Sequence, residues 1–339
     1  MDGTSERDGL SIKNETGMIE QIIPPVDPDE LERELTPARR LRRTNKSDNE
    51  IYVVTGSEAP QVMREIGRLR EAAFRYYGGG TGRALDVDTF DSRPGAYRQL
   101  IVWSPKDRRI LGGYRFRCGS EALDTDGEPA LATAALFHFS DRFIREYLPY
   151  TVELGRSFVS LDYQATLPRP GSIFILDNLW DGLGALTVID PTLRYFFGKV
   201  TMYPGYNVEA RNMILYFLRR HFPDPDRLVE PIHPLTVDVD EAAMEALFRH
   251  GSFRENYRVL NQEVRKRGLN IPPLVNAYMS LSPQMRTFGT AINRRFGNVE
   301  ETGLLIAIDE ILEEKKKRHI ETYLKEEAET PAFRRVEIR

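Results

Sequence analysis

Residues 152–160 read Val-Glu-Leu-Gly-Arg-Ser-Phe-Val-Ser, VELGRSFVS. Val152, Leu154, Phe158 and Val159 have the apolar character of a buried strand, yet Glu153 and Arg156 sit inside it with Gly155 between them. A glycine weakens a strand and often marks a bulge or a close backbone approach by a ligand. A carboxylate in such a place costs free energy unless it is paired or hydrogen-bonded. The stretch therefore reads as a core strand that also carries chemistry.

Working outward, FSDRFIREYLPY (139–150) reads as a helix leading into this strand. Upstream, YRQLIVWS and RILGGYRFRCG flank a PKDR turn and predict a hairpin. Further back, IYVVTG predicts a short strand, and SEAPQVMREIGRLREAAFRYY predicts a helix with Val62, Ile66, Leu69 and Ala73 at helical spacing. Downstream, GSIFILDNLWDGLGALTVI predicts an apolar helix, RYFFGKVTMYP a strand and NVEARNMILYFLRRHF an amphipathic helix. Residues 237–268 read as a charged helical excursion, IPPLVNAYMSL as an apolar segment and ETGLLIAIDEI as a buried strand. Strands in hairpins and around helices imply a mixed sheet with helices packed on it. Residues 1–49 are polar and read as a disordered tail, and 313–339 as a solvated charged helix or tail.

Bulk properties exclude several functions. The 339 residues carry a net charge of −4, so the chain has no overall nucleic-acid signature. One cysteine, Cys118, excludes an internal disulfide framework and fits a reducing compartment. No apolar run reaches the ~18 residues of a membrane span, and the N-terminus lacks a secretory pattern, so a cytoplasmic protein is expected. The five histidines show no metal-ligand spacing. GGGTG (78–82) lacks the Lys-Ser/Thr of a phosphate loop and follows a helix, so it reads as a helix break. His221 and Asp226, spaced like an acyltransferase H-x4-D, flank Pro223 and Pro225 and read as an ordinary helix stop.

An ordered set of segments carries more. RLREAAFRYY (68–77), LDVDTFD (85–91), ILGGYRFR (110–117) and ELGRSFV (153–159) are followed by NLWDGLGAL, FFGKVTMYPG and IPPLVNAYMSL. Together they resemble the acyl-homoserine-lactone synthases and, more closely, the hemolysin-like N-acyltransferases that make ornithine and glycine lipids. The resemblance covers roughly residues 50–312 and implies one GNAT-like α/β domain: a mixed, mostly antiparallel central sheet flanked by helices. It implies substrate-binding roles for Arg70, Phe74, Asp88, Asp91 and Arg115, and catalytic roles for Glu153 and Arg156. Phe158, Val159 and Ser160 would line the acyl donor. An Arg–Asp network that merely fastens helix to sheet remains an equal reading for Arg70, Asp88 and Asp91.

In such a fold the equivalent strand splays from its neighbour and the thioester donor lies in the gap. Gly155 would permit close approach, and a nearby backbone N–H would stabilise the oxyanion. Glu153 is the candidate proton acceptor or ammonium holder; Arg156 would bind the acceptor's carboxylate or orient Glu153. The expected activity is transfer of a 3-hydroxy fatty acyl group to the amino group of glycine or ornithine, with no permanently bound cofactor and no metal. Coenzyme A users usually carry Q/R-x-x-G-x-G/A after this strand, whereas SLDYQATLPRPGS (160–172) stands here. That favours acyl-carrier protein over acyl-coenzyme A. Arg142, Arg145, Arg169, Arg219 and Arg220 are candidate steering charges for that acidic partner, and a lipid product implies peripheral contact with the inner membrane face. Two alternatives stay open: a small-acyl GNAT using acetyl-coenzyme A, and a non-catalytic GNAT-like binding protein.

Overall fold

A computed structural model describes residues 19–93, 95–164 and 174–324 of the protein. Its strands are β1 (Arg40–Arg43), β2 (Glu50–Val54), β3 (Arg98–Ser104), β4 (Arg109–Cys118), β5 (Phe137–Phe139), β6 (Thr151–Val159), β7 (Tyr195–Met202), β8 (Val229–Pro231), β9 (Arg286–Asn293) and β10 (Val299–Ala307). Eight form one sheet in the order β1-β2-β3-β4-β6-β7-β10-β9, and β5 pairs with β8. Within the large sheet only β6 and β7 run parallel. The helices are α1 (Pro28–Glu34), α2 (Pro60–Tyr76), α3 (Thr89–Ser92), α4 (Ile175–Ile189), α5 (Val208–His221), α6 (Glu241–Leu247), α7 (Phe253–Lys266), α8 (Pro273–Met279) and α9 (Glu313–Lys316). The fold is the expected α/β one, a mostly antiparallel mixed sheet flanked by helices.

Alternation along the strands assigns the two faces. Leu100, Phe116, Leu154, Phe196 and Ile306 face α4, α5, α7 and α8 in the main core. The opposite face holds two apolar patches. Ile101, Trp103 and Phe158 lie under α2, while Phe197, Phe288 and Leu305 lie under Phe137, Phe139 and Phe143. Between those patches, on β4, β6 and the near ends of β7 and β10, the same face is polar.

The sheet opens at one place. β6 and β7 pair only through Thr151–Tyr195, Val152–Phe196 and Glu153–Phe197. They remain close one step further, since a Cβ on Gly198 would lie 3.0 Å from the Leu154 carbonyl oxygen. Beyond that, β6 stays with β4 through Val159 and β7 stays with β10 through Met202, so the two arms fork. At the root of the fork β6 bulges: Arg115 lies opposite Gly155 and Gly113 opposite Phe158, so three steps on β6 match two on β4. Arg156 takes up the extra residue with φ +48°, a left-handed conformation that is uncommon for a residue with a side chain. Bulges of this kind re-aim side chains and recur beside active sites.

Several expectations need correction. Residues 19–49 are not a disordered tail. Asp27 caps α1, Leu31 and Leu35 join the α2 patch, and β1 pairs with β2 as the sheet's edge. Arg42, buried, donates to the carbonyls of Asp181 (3.2 Å) and His319 (3.1 Å). Nor is the described part of 313–339 solvated throughout: His319 is buried against Asp181 at 2.7 Å, and Tyr323 joins the main core. The segment 237–268 forms α6 and α7, whose neighbourhood buries Phe248, Leu260 and Val264 in that core. FSDRFIREYLPY is not one α-helix; Phe139 ends β5, and a π turn (Phe143–Tyr147) and a 3-10 turn follow. The readings of residues 1–18, 325–339 and Arg169 lie outside the described residues.

Candidate active site

The polar part of the sheet face is built from α2, the loop after it and β3, β4 and β6. LDVDTFD folds as the short helix α3 in a capping box: Asp88 accepts from the Phe90 amide (2.9 Å) and Asp91 accepts from the Asp88 amide (3.1 Å). The box presents both carboxylates to arginines. Arg70, from α2, lies 3.2 Å from Asp91 and also donates to Gln99. Arg115, from β4, lies 2.9 Å from Asp88 and 3.3 Å from Asp91. Burial pushes the Asp91 carboxyl up, but Arg70 and Arg115 more than offset it and hold it well below the usual carboxylate range.

Arg156 joins the same network from the bulge. Its Nε lies 2.8 Å from Asp86 and its Nη2 lies 3.7 Å from Asp88. Its guanidinium sits 4.2 Å from the Phe296 ring centroid, and Phe296 meets Phe74 edge-on at 5.2 Å. Six of the expected residues (Arg70, Phe74, Asp88, Asp91, Arg115 and Arg156) therefore form one connected group. Asp86 is a member that the sequence reading missed. It is fully buried, neither carboxylate oxygen has a hydrogen bond among the described residues, and burial pushes its carboxyl up.

Glu153 belongs to the same polar region but not to Arg156. It accepts from the Tyr97 hydroxyl, the Thr133 amide (3.0 Å) and the Thr133 hydroxyl (2.6 Å). Tyr97 in turn lies 5.2 Å from the Arg115 guanidinium and accepts from the Ala132 amide (2.8 Å). The expected option that Arg156 orients Glu153 is thus replaced by Tyr97 and Thr133 in that role. The bulge is the reason, because it turns Arg156 toward Asp86.

On the other arm of the fork, Lys199 pairs with Glu301 of β10, which also accepts from Asn293 at 3.2 Å. Burial lowers the Lys199 ammonium, Glu301 opposes that, and the charges of Arg156 and Arg115 press it down further. At the open end, Tyr77 donates to Gln164 and meets the Tyr203 ring at a tilt, 5.5 Å between centroids, while Gln164 donates to the Val159 carbonyl (2.9 Å). That chain of contacts bridges the two arms.

The comparisons with known proteins fit this site. Residues 69–167 match the acetyltransferase (GNAT) domain family. The chain is 59% identical over 312 residues to a protein named glycine N(alpha)-acyltransferase from Phocaeicola vulgatus, covering 92% of this chain and 96% of the relative. It is 59% identical over 307 residues to one of the same name from Bacteroides thetaiotaomicron, covering 90% and 91%. No solved structure matches. The chain belongs to the glycine N(alpha)-acyltransferase family.

It is accordingly an enzyme, an amino-acid N-acyltransferase on a GNAT fold. The relatives' names carry glycine; the hemolysin-like and ornithine-lipid groupings of the resemblance are not among them. For this N-acyltransferase the donor positions read from sequence have structural partners already: Phe158 packs in the α2 patch, Val159 against the main core, and the Ser160 amide bonds to Leu111 at 2.8 Å. GGGTG is no phosphate cradle here, because its Thr81 and Gly82 amides bond to the buried Glu71 carboxylate at 2.9 and 2.8 Å. Tyr97, Gln99, Thr133 and Glu301 left no usable sequence signal, since each acts through the fold. Lys199 did leave one: Gly198-Lys199 in an apolar strand repeats the Gly155-Arg156 pattern.

Gly155 offers a clean test of the fork. A Cβ there would meet Arg115 at an ordinary 3.5 Å, and alanine suits an extended strand at least as well as glycine. Gly155→Ala is expected to melt within a few degrees of the parent while acyl transfer drops by at least tenfold. Unchanged turnover would show that nothing needs the room at the root of the fork.

Proposed function

We propose that the protein moves a fatty acyl group, in 3-hydroxyacyl form, from the phosphopantetheine thioester of acyl-carrier protein to the α-amino group of glycine. The amine nitrogen attacks the thioester carbonyl, a C–N bond forms, the C–S bond breaks, and the thiol leaves with a proton while the amine loses one. The observation that carries this reading is the fork between β6 and β7, with Gly155 at its root and a bulge that turns Arg156 into it. The extended pantetheine arm lies against the β6 arm, whose backbone N–H groups supply the oxyanion donor. Glu153 takes up the amine's proton through water. Three of the roughly four lone-pair positions of a carboxylate are already filled at Glu153, leaving one acceptor position.

Glycine as acceptor is supported by the names of both relatives. Acyl-carrier protein, rather than coenzyme A, is supported by SLDYQATLPRPGS, which lacks the diphosphate-binding pattern; its residues 165–172 lie outside the described structure. An acylated amino acid is a lipid, which supports peripheral contact with the cytoplasmic membrane face. Among the described residues no helix is long and apolar enough to cross a membrane.

We propose a different location for the steering charges. Arg142, Arg145 and Arg219 carry acidic partners in Asp226, Asp141 and Glu241. Arg142 and Asp226 sit beside Arg286, opposite Leu305 and so at the closed end of the fork. At the open end, among the described residues, Arg294 and Arg295 are exposed and precede Gly297, which packs against Gly78 and Gly79 next to the exposed Tyr76 and Tyr77. The double change Arg294→Glu/Arg295→Glu is expected to raise the KM for acyl-carrier-protein donor about tenfold or more, with a weaker salt dependence. The KM for a free acyl-pantetheine donor stays put. A donor KM unmoved in both cases would place the carrier elsewhere.

The test of the function itself is direct. Purified protein is incubated with acyl-carrier-protein and acyl-coenzyme A donors against a panel of amino acids, and products are read by mass spectrometry. N-Acylglycine from the carrier-protein donor is the expected product. No product with any amino acid would sink the reading.

A further inference from the structure

Each arm of the fork carries a glycine followed by a cation: Gly155-Arg156 on β6 and Gly198-Lys199 on β7. The pairing offset of 44 residues, from Glu153–Phe197, would set Lys199 level with Gly155 if the arms continued together. Alternation along β7 puts Lys199 on the same face as Phe197, which is the polar face. Gly155 puts no side chain of its own into the opening, where the Arg115 side chain lies at ordinary contact distance, 3.5 Å from where a Cβ would be. Both cations reach solvent, their side chains 14% and 13% exposed, and each is backed by a carboxylate that does not: Asp86 at 0% and Glu301 at 1%.

Two like charges facing one opening repel unless something lies between them. The charges of Arg156 and Arg115 both weigh against the Lys199 ammonium. Among the described residues the only ion-pair partner of Lys199 is Glu301, although an ammonium has three donors. Arg156 makes no side-chain hydrogen bond among the described residues and is held only by ion pairs and by Phe296. The donors left over on both groups can serve an anion that enters the fork.

We infer that Arg156 and Lys199, one from each arm, clasp the carboxylate of the amino-acid acceptor, with Asp86 and Glu301 as the positioning residues that hold them. This rests on the amino-acid acceptor proposed above. A carboxylate held between the arms places the α-nitrogen one carbon away, beside Gly155 and facing the donor's thioester. It also makes the free carboxylate, rather than the amine alone, the feature that admits a substrate. An amine without it enters as an incomplete ligand and leaves the spare donors of the two cations unmet.

The test compares glycine with glycinamide, which keeps the amine and lacks the charge, using one fixed acyl donor. The variant is the double change Lys199→Met/Glu301→Gln, chosen because removing both partners leaves no lone buried charge and preserves volume. The parent enzyme is expected to prefer glycine over glycinamide in kcat/KM. In the double variant that preference falls about 10- to 100-fold, the size of a lost charge-assisted hydrogen bond, through the KM for glycine. The donor KM and the rate with glycinamide hold steady, and Lys199→Arg keeps most of the preference. An unchanged glycine-to-glycinamide ratio in a folded double variant would overturn the clasp alone. A parent enzyme that acylates no amino acid would overturn the proposed function and the clasp with it. If the double variant fails to fold, Arg156→Gln is measured in its place, and an unchanged glycine-to-glycinamide ratio there overturns the clasp.

Discussion

Asp91→Asn is expected to destabilise the protein by about 3–5 kcal/mol, the usual result of leaving buried charge uncompensated. Asparagine keeps the shape, removes the charge and replaces one acceptor oxygen with a donor. Asp91 lies between Arg70 and Arg115, both buried, and it also accepts from Gln99 (3.0 Å). Arg115 would keep Asp88, but Arg70 would be left with no ion pair among the described residues. A loss of this size lowers the melting temperature by on the order of 10 °C. The pH dependence has a definite sign. The Asp91 carboxyl is held below its unfolded value, so its contribution is complete above about pH 4 and is lost as pH falls toward the lower folded value. The gap between parent and variant should therefore be flat near neutrality and close in acid. A variant that melts with the parent at pH 7 would make the Arg70–Asp91–Arg115 arrangement energetically idle.

Glu153→Gln is expected to slow acyl transfer by about 10²–10⁴, the range for losing general base assistance. Its geometry adds a second effect. A glutamine presents an amide donor toward either the Tyr97 hydroxyl or Thr133, both of which now donate to Glu153. One of those donors is left unmatched in a buried place, at a cost of about 1–3 kcal/mol. The variant is thus expected to be slower and modestly less stable, and kcat at a temperature well below melting separates the two. Full turnover with a lowered melting temperature would leave Glu153 a structural residue that braces Tyr97.

The strand that holds Glu153 was legible because charged residues and a glycine inside an apolar run cost stability unless the site uses them. The helix, hairpin and late strand were legible from periodicity, which is equally local. The partnership of Glu153 and Arg156 was not. Regular alternation would put residues three apart on opposite faces, and only the bulge, a property of the pairing with β4, decides where Arg156 turns. Asp86 was passed over because its function depends on Arg156 arriving from 70 positions away in the chain. The error at residues 19–49 had a different origin. Polar composition argues against a self-sufficient core, but an edge strand borrows its core from the sheet. Arg42 can be buried there because three carbonyl oxygens, its neighbour Arg43's among them, receive its donors.

That edge strand also closes one side of the sheet among the described residues. β1 occupies the outer hydrogen-bonding groups of β2, and Arg42 ties it to α4 and to the backbone at His319. A chain trimmed to start at residue 50 would present β2 as an open template for strand addition by any neighbouring copy. It would also lose the clasp between the two ends of the described chain. The polar leader is a self-capping device: the protein supplies its own final strand, and so denies that position to another molecule.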